Sequence, residues 1–249
     1  GVSAGACHLC SYLAKQYKRA FRVNVDYLND KRYCSVHSLL KTGNLFGAEM
    51  LYDIIPNELD LFDYDTYNKN ESNFYVVITD INTGKPEYVK IGDLKKDIIY
   101  VRASSSLPLL AQNVKINDKE YLDGGISDSI PIKKSIADGN KKNVVILTRD
   151  STYRKGKNSL MPIIKLKYKK YPNFVKSMAD RYIVYNEILD FIKELEDNGD
   201  VFVIRPKKPV NIGRTEKNRE KLEALYNDGY NDAKDCYEEL LKYLGKENL

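Results

Sequence analysis

Gly1-Val2-Ser3-Ala4-Gly5 fits G-x-S-x-G, the pattern of a serine held at a sharp turn between a strand and a helix. The turn strains the serine backbone, and flanking side chains would clash with the strand and helix packed closely around it. Glycine is therefore expected at positions 1 and 5. Ser3 then stands at a helix N-terminus, where free N–H groups and the positive end of the dipole favour the negative charge of acyl transfer. These are common residues, so the motif's weight depends on what accompanies it. The strand leading into the turn is expected upstream of Gly1, in a longer protein.

Outward from the turn, Ala6, Leu9, Cys10, Leu13, Ala14 and Tyr17 recur at helical spacing and predict an apolar helix face. His8 falls on the opposite face. Cys7 and Cys10 have the spacing of a redox or metal pair, but no second ligand pair exists, so they read as packed cysteines, with no metal or cofactor. Residues 22–59 predict short helices and loops, including His37. Phe74 to Asp80 is a continuous apolar run, the mark of a strand buried on both faces of a parallel sheet. A weaker strand is expected over Glu87 to Ile91, a helix over Leu94 to Ala103, and a hairpin at Val114 to Leu122 that delivers Asp123-Gly124-Gly125.

Ser129 as cap, Pro131 and Gly139 bracket a short helix, and Val144 to Thr148 predicts another buried strand. Met161 to Met178 mixes lysines with aromatic and aliphatic residues. A solvated helix pair broken at Pro172 is the reading preferred there, and rest on an anionic membrane surface is the alternative. A helix over Asn173 to Glu196, a strand over Val201 to Ile204 and a long helix over Thr215 to Leu244 complete the chain. Strands alternating with helices imply an α/β fold with a mainly parallel sheet.

The 249 residues, 43% hydrophobic and 30% charged, are enough for one large core and one domain. The net charge of +5 is spread along the chain and permits an anionic surface or substrate. No basic arm or nucleic-acid signature accompanies it, so nucleic acid is not expected as a partner. Four cysteines mildly favour a reducing compartment, hence a cytoplasmic protein with peripheral membrane contact left open. No apolar run reaches the length of a membrane span.

A serine hydroxyl attacks only when a neighbouring group takes its proton. In a hydrolase-ordered triad a histidine follows the acid, but the only histidines, His8 and His37, both precede Asp123. A carboxylate acting directly on serine is what remains. Asp123 stands out because the two glycines after it let the backbone turn and approach another element closely. A lone D-G-G is more often an ordinary turn. Beside G-x-S-x-G the functional reading gains.

Gly1 to Gly5, Ala103-Ser104-Ser105-Ser106-Leu107-Pro108 and Asp123-Gly124-Gly125, in that order, resemble the patatin-like phospholipase family, in its bacterial form, over Gly1 to about Asp150. The resemblance implies a three-layer α/β/α sandwich, a single acyl-hydrolase domain over 1–249, a Ser-Asp dyad, and hydrolysis of phospholipid, lysophospholipid or neutral lipid esters without metal or cofactor. Carried over by motif, Ser3 is the nucleophile, Asp123 the general base, and the Ala103 to Pro108 segment a wall of the site. The family also places a glycine-rich oxyanion loop before the nucleophile. These residues lack it, which leaves the Ala4 N–H as the oxyanion donor. Acyl transfer to an acceptor other than water and a catalytically silent lipid-binding protein of the same fold remain as alternatives. Substrate preference and oligomeric state are open.

Overall fold

The computed structural model describes residues 1–246, so 247–249 of the expected 1–249 domain lie outside the described residues. The chain forms two compact units. The first is Gly1–Ile130 with Lys157–Tyr182, and the second is Pro131–Gly156 with the described part of Ile183–Leu249.

In the first unit, helix α1 (Ala4–Leu13) follows the turn directly. It stops short of the expected Tyr17, because Lys15 and Lys18 adopt left-handed backbone and turn the chain. Tyr17 is left exposed. Helices α2 (Arg19–Val25) and α3 (Val36–Thr42) and a π-helical stretch (Met50–Leu59) lie in or overlap residues 22–59, read as short helices and loops, and helix α4 (Tyr64–Asn68) follows them. Strands β1 (Phe74–Asp80) and β2 (Pro86–Ile91), helix α5 (Leu94–Ser104), and strands β3 (Val114–Ile116) and β4 (Lys119–Asp123) follow.

The sheet order is β2-β1-β4-β3, and every ladder in it is antiparallel. The fold is α/β, but this main sheet departs from the mainly parallel one expected. The reason is local. Gly84, at φ 67°, closes a tight turn that returns β2 alongside β1, and Asn117, at φ 54°, does the same between β3 and β4. Antiparallel strands can be as apolar as parallel ones when helices cover both faces. Val76 and Ile78 of β1 pack with Ala6, Cys10 and Leu13 of α1 and Val101 of α5. On the other face, Leu122 and Ile126 pack with Ile81, Ile164, Tyr168, Phe174 and Met178. These last four residues come from helix α7 (Met161–Lys167), the turn after it, and the start of helix α8 (Pro172–Asp197). The helix break thus falls just before Pro172.

A short parallel element also joins β1. Val2 bridges Val77 in parallel, and the Val77 N–H donates to the Gly1 carbonyl at 3.1 Å. One edge of β1 is taken by β2. On the other, β4 ends with Asp123 opposite Ile78, so Gly1 and Val2 occupy the edge that β4 vacates. Both glycine-flanked turns therefore end on the same edge of the same strand.

In the second unit, helix α6 (Ile132–Ala137) precedes strand β5 (Asn143–Ile146), which pairs in parallel with β6 (Val201–Ile204). Burial along β5 alternates, with Ile146 73% exposed, in place of the doubly buried run expected: a two-stranded sheet covers only one face. The single long helix expected at the end is two helices, α9 (Arg219–Asp235) and α10 (Tyr237–Leu244), separated at Cys236.

Candidate active site

Ser3 has φ 52° and ψ −128°, a backbone state that costs an L-residue about 1–3 kcal/mol. It is held by its surroundings. The Ser3 N–H donates to Ser104 Oγ at 2.9 Å, and the Ser3 carbonyl accepts from the Ala6 N–H at 2.9 Å. Gly1 is required sterically, since a Cβ there would lie 2.6 Å from Leu9 Cδ1 and 2.9 Å from Ala6 Cα. Gly5 is not. A Cβ at Gly5 would meet nothing within 4 Å, which corrects the expectation that both flanking glycines relieve a clash. The first turn of α1 has no side-chain cap, and Ala4 is exposed at its opening. Its N–H sits where a developing negative charge would be favoured.

Asp123 is 2% exposed and fully engaged. Its Oδ2 accepts from Ser3 Oγ at 2.6 Å, and its Oδ1 accepts from the Gly125 N–H at 2.7 Å. The backbone is fixed as well: Asp123 N–H donates to the Ser106 carbonyl at 2.9 Å, and Thr79 Oγ1 donates to the Asp123 carbonyl at 2.8 Å. A Cβ at Gly124 would lie 2.0 Å from the Val77 carbonyl oxygen, so only glycine allows this approach. Gly125 is tight, with a Cβ there 3.0 Å from Asp123 Oδ1 and 3.3 Å from Arg181 Nη2. Its carbonyl accepts from Arg181 Nε and from Ser129 Oγ at 2.6 Å. Ser129 thus braces this turn and does not cap α6, where Pro131 holds the cap position.

The serine run at the end of α5 is more than a wall. Ser104, fully buried, fixes the backbone of Ser3, and the Ser106 carbonyl fixes that of Asp123, so one segment clamps both turns. Three consecutive serines were the visible signal for this. Nothing in the sequence pointed to Thr79 or Arg181, which lie 44 and 56 residues from their partners.

One helical turn beyond Ser3, Cys7 Sγ lies 3.3 Å from Ser105 Oγ and 4.0 Å from the Tyr52 hydroxyl. Burial raises the Cys7 pKa above the ordinary thiol value, so the group remains a thiol at neutral pH and is a poor nucleophile. A cleft lined by Tyr52, Arg102, Ser105, Ser106 and Leu107 adjoins this wall. His8 and His37 are both exposed, and neither forms a hydrogen bond with Ser3 or Asp123. Among the described residues, no group of three or more His, Cys, Asp and Glu side chains gathers as a metal site would.

Residues 1–135, just over half of the chain, match the family model described as patatin-like phospholipase. The chain belongs to the patatin-like phospholipase family, which at the family level is one of lipid hydrolases. Residues 171–245 match a domain of unknown function (DUF6363). Among curated proteins, the "Uncharacterized protein YjjU" of Escherichia coli (strain K12) is 26% identical over 226 residues, 84% of this chain and 60% of the relative. The chain thus spans about 60% of the length of that relative. Among the described residues, no helix is long and apolar enough to cross a membrane.

Proposed function

We propose that this protein is a serine acyl-ester hydrolase in which Ser3 and Asp123 act as a catalytic dyad on lipid esters. The observation that carries the reading is the 2.6 Å hydrogen bond from Ser3 Oγ to Asp123 Oδ2, made from a strained turn at a helix N-terminus. As Ser3 Oγ attacks the ester carbonyl, its proton passes to Asp123, and the charge on the carbonyl oxygen forms beside the Ala4 N–H. Collapse of the tetrahedral intermediate breaks the C–O bond. The departing alkoxide takes the proton from Asp123 and leaves acyl-Ser3. Water then attacks the acyl group, gives a proton to Asp123, and releases the carboxylic acid as Ser3 recovers its hydrogen. A buried carboxylate can perform both transfers without an imidazole, because the same oxygen faces the serine throughout. The substrate class is an acyl ester of a phospholipid, lysophospholipid or neutral lipid.

A fluorophosphonate probe tests the reading, since it labels only an activated serine. Wild-type protein should label at Ser3 and hydrolyse a lipid ester. Ser3→Ala should do neither, with turnover lower by about a thousandfold or more. Wild-type protein that neither labels nor hydrolyses would overturn the enzyme assignment in favour of a silent lipid-binding protein.

A further inference from the structure

Between Lys157 and Ala179 the chain carries six lysines and no aspartate or glutamate. Some lysines elsewhere pair with acids, as Lys119 does with Glu87 and Lys193 with Asp197. None of these six forms an ion pair with a described residue. Within the same stretch α7 divides its apolar residues between two sides. Ile164 is 1% exposed and packs with Leu122 and Ile126. Leu160, Ile163 and Leu166 are 49%, 54% and 74% exposed, spaced three residues apart along one side of the helix. Lys165, Lys167, Lys169 and Lys170, all exposed, border them. A solvated helix face has no use for three large exposed aliphatic residues. An acidic protein partner would use the lysines and leave the aliphatic residues wet, whereas a second copy would bring six lysines against six.

We propose that this side of α7 docks the protein on an anionic phospholipid surface. Leu160, Ile163 and Leu166 enter the boundary between headgroups and acyl chains, and the lysines meet the lipid phosphates. The inner side of α7 is held by packing against Leu122 and Ile126, which leaves its outer side free to meet the lipid. The proposal rests on the surface alone and does not depend on the chemistry assigned to Ser3.

Co-sedimentation of the full chain with phosphatidylcholine vesicles, with and without phosphatidylglycerol, tests it. Wild type and Ser3→Ala should bind vesicles containing phosphatidylglycerol alike, and bind pure phosphatidylcholine about tenfold more weakly or worse. Each Lys→Gln change among Lys165, Lys167, Lys169 and Lys170 should lower the partition coefficient about fivefold. Ile163→Ser with Leu166→Ser should lower it about tenfold or more. These side chains are exposed, so an unchanged melting temperature will show that folding is intact. Equal binding to both vesicles, or binding unaffected by either set of changes, would overturn the proposal. So would a wild-type dimer in sedimentation velocity that the Ile163→Ser, Leu166→Ser variant abolishes, because a second copy would then cover the face. A failure of Ser3 to react would leave the vesicle results standing, so the two readings fail separately.

Discussion

The turn that carries Ser3 and the turn that carries Asp123 meet across one hydrogen bond, yet they are built in opposite ways. Ser3 sits at positive φ, on an uncapped helix end, between a glycine that is sterically required and one that faces open space. Asp123 has an ordinary backbone, with φ −46° and ψ 127°. Its carboxylate is buried and bonded at both oxygens, and the glycine after it is wedged against β1. The difference teaches where precision is kept. On the proposed mechanism, the strained, open turn presents a group to substrate, while the buried turn fixes the group that must receive a proton.

The severest way to break this comparison is Asp123→Asn, which keeps the shape and removes the charge. Turnover should fall about a thousandfold with near-normal folding, read by lipid-ester hydrolysis at matched folded concentration. Retention of a tenth of wild-type turnover would mean that another group is the base. Next comes the contrast between two glycines. Gly124→Ala drives a Cβ into the Val77 carbonyl and should cost about 3 kcal/mol, seen as a melting temperature lower by roughly 6–12 °C. Gly5→Ala should instead raise stability by about 0.5–1 kcal/mol, since it replaces a helical glycine in open space. If both alanines destabilise equally, the asymmetry between the turns is wrong.

A sharper probe of the clamp is Ser104→Ala, which leaves the Ser3 N–H without its acceptor. The expected loss is about 1–2 kcal/mol of stability, together with a fluorophosphonate labelling rate lower by about tenfold, because the strained backbone of Ser3 loses its support. The smallest effect is expected from His8→Gln with His37→Gln, which should leave turnover within about threefold and the acidic limb of the pH profile unmoved. On the basic side, the raised Cys7 pKa keeps its thiol protonated at pH values where an ordinary thiol ionises. Iodoacetamide should therefore leave wild-type turnover unchanged at those pH values. A collapse of turnover in the double variant, with the fold intact, would make a histidine the base and reduce Asp123 to an orienting group.

The amino-acid sequence by itself determined the two turns and most of the elements. G-x-S-x-G and D-G-G are short patterns whose residue types are dictated locally, by a tight turn or a close approach. Phe74–Asp80 declared itself by an apolar run, and the hairpin into Asp123 by alternation around Asn117. What the sequence left undecided was strand direction and the partners of each turn. A run such as Val76-Val77-Ile78 reports only that both faces are covered, which is equally true of this antiparallel sheet, with α1 and α5 on one face and α7 and the start of α8 on the other. Sharing an edge of β1 between Gly1-Val2 and β4, the clamp from Ser104 and Ser106, and the brace from Arg181 all join residues distant in the chain. Local propensity says nothing about such pairs, because their energy exists only once the sheet has brought them together. The tertiary structure also decided that α7 would turn Ile164 inward and leave Leu166 in water, since with apolar residues on both sides its sequence gives no single buried stripe.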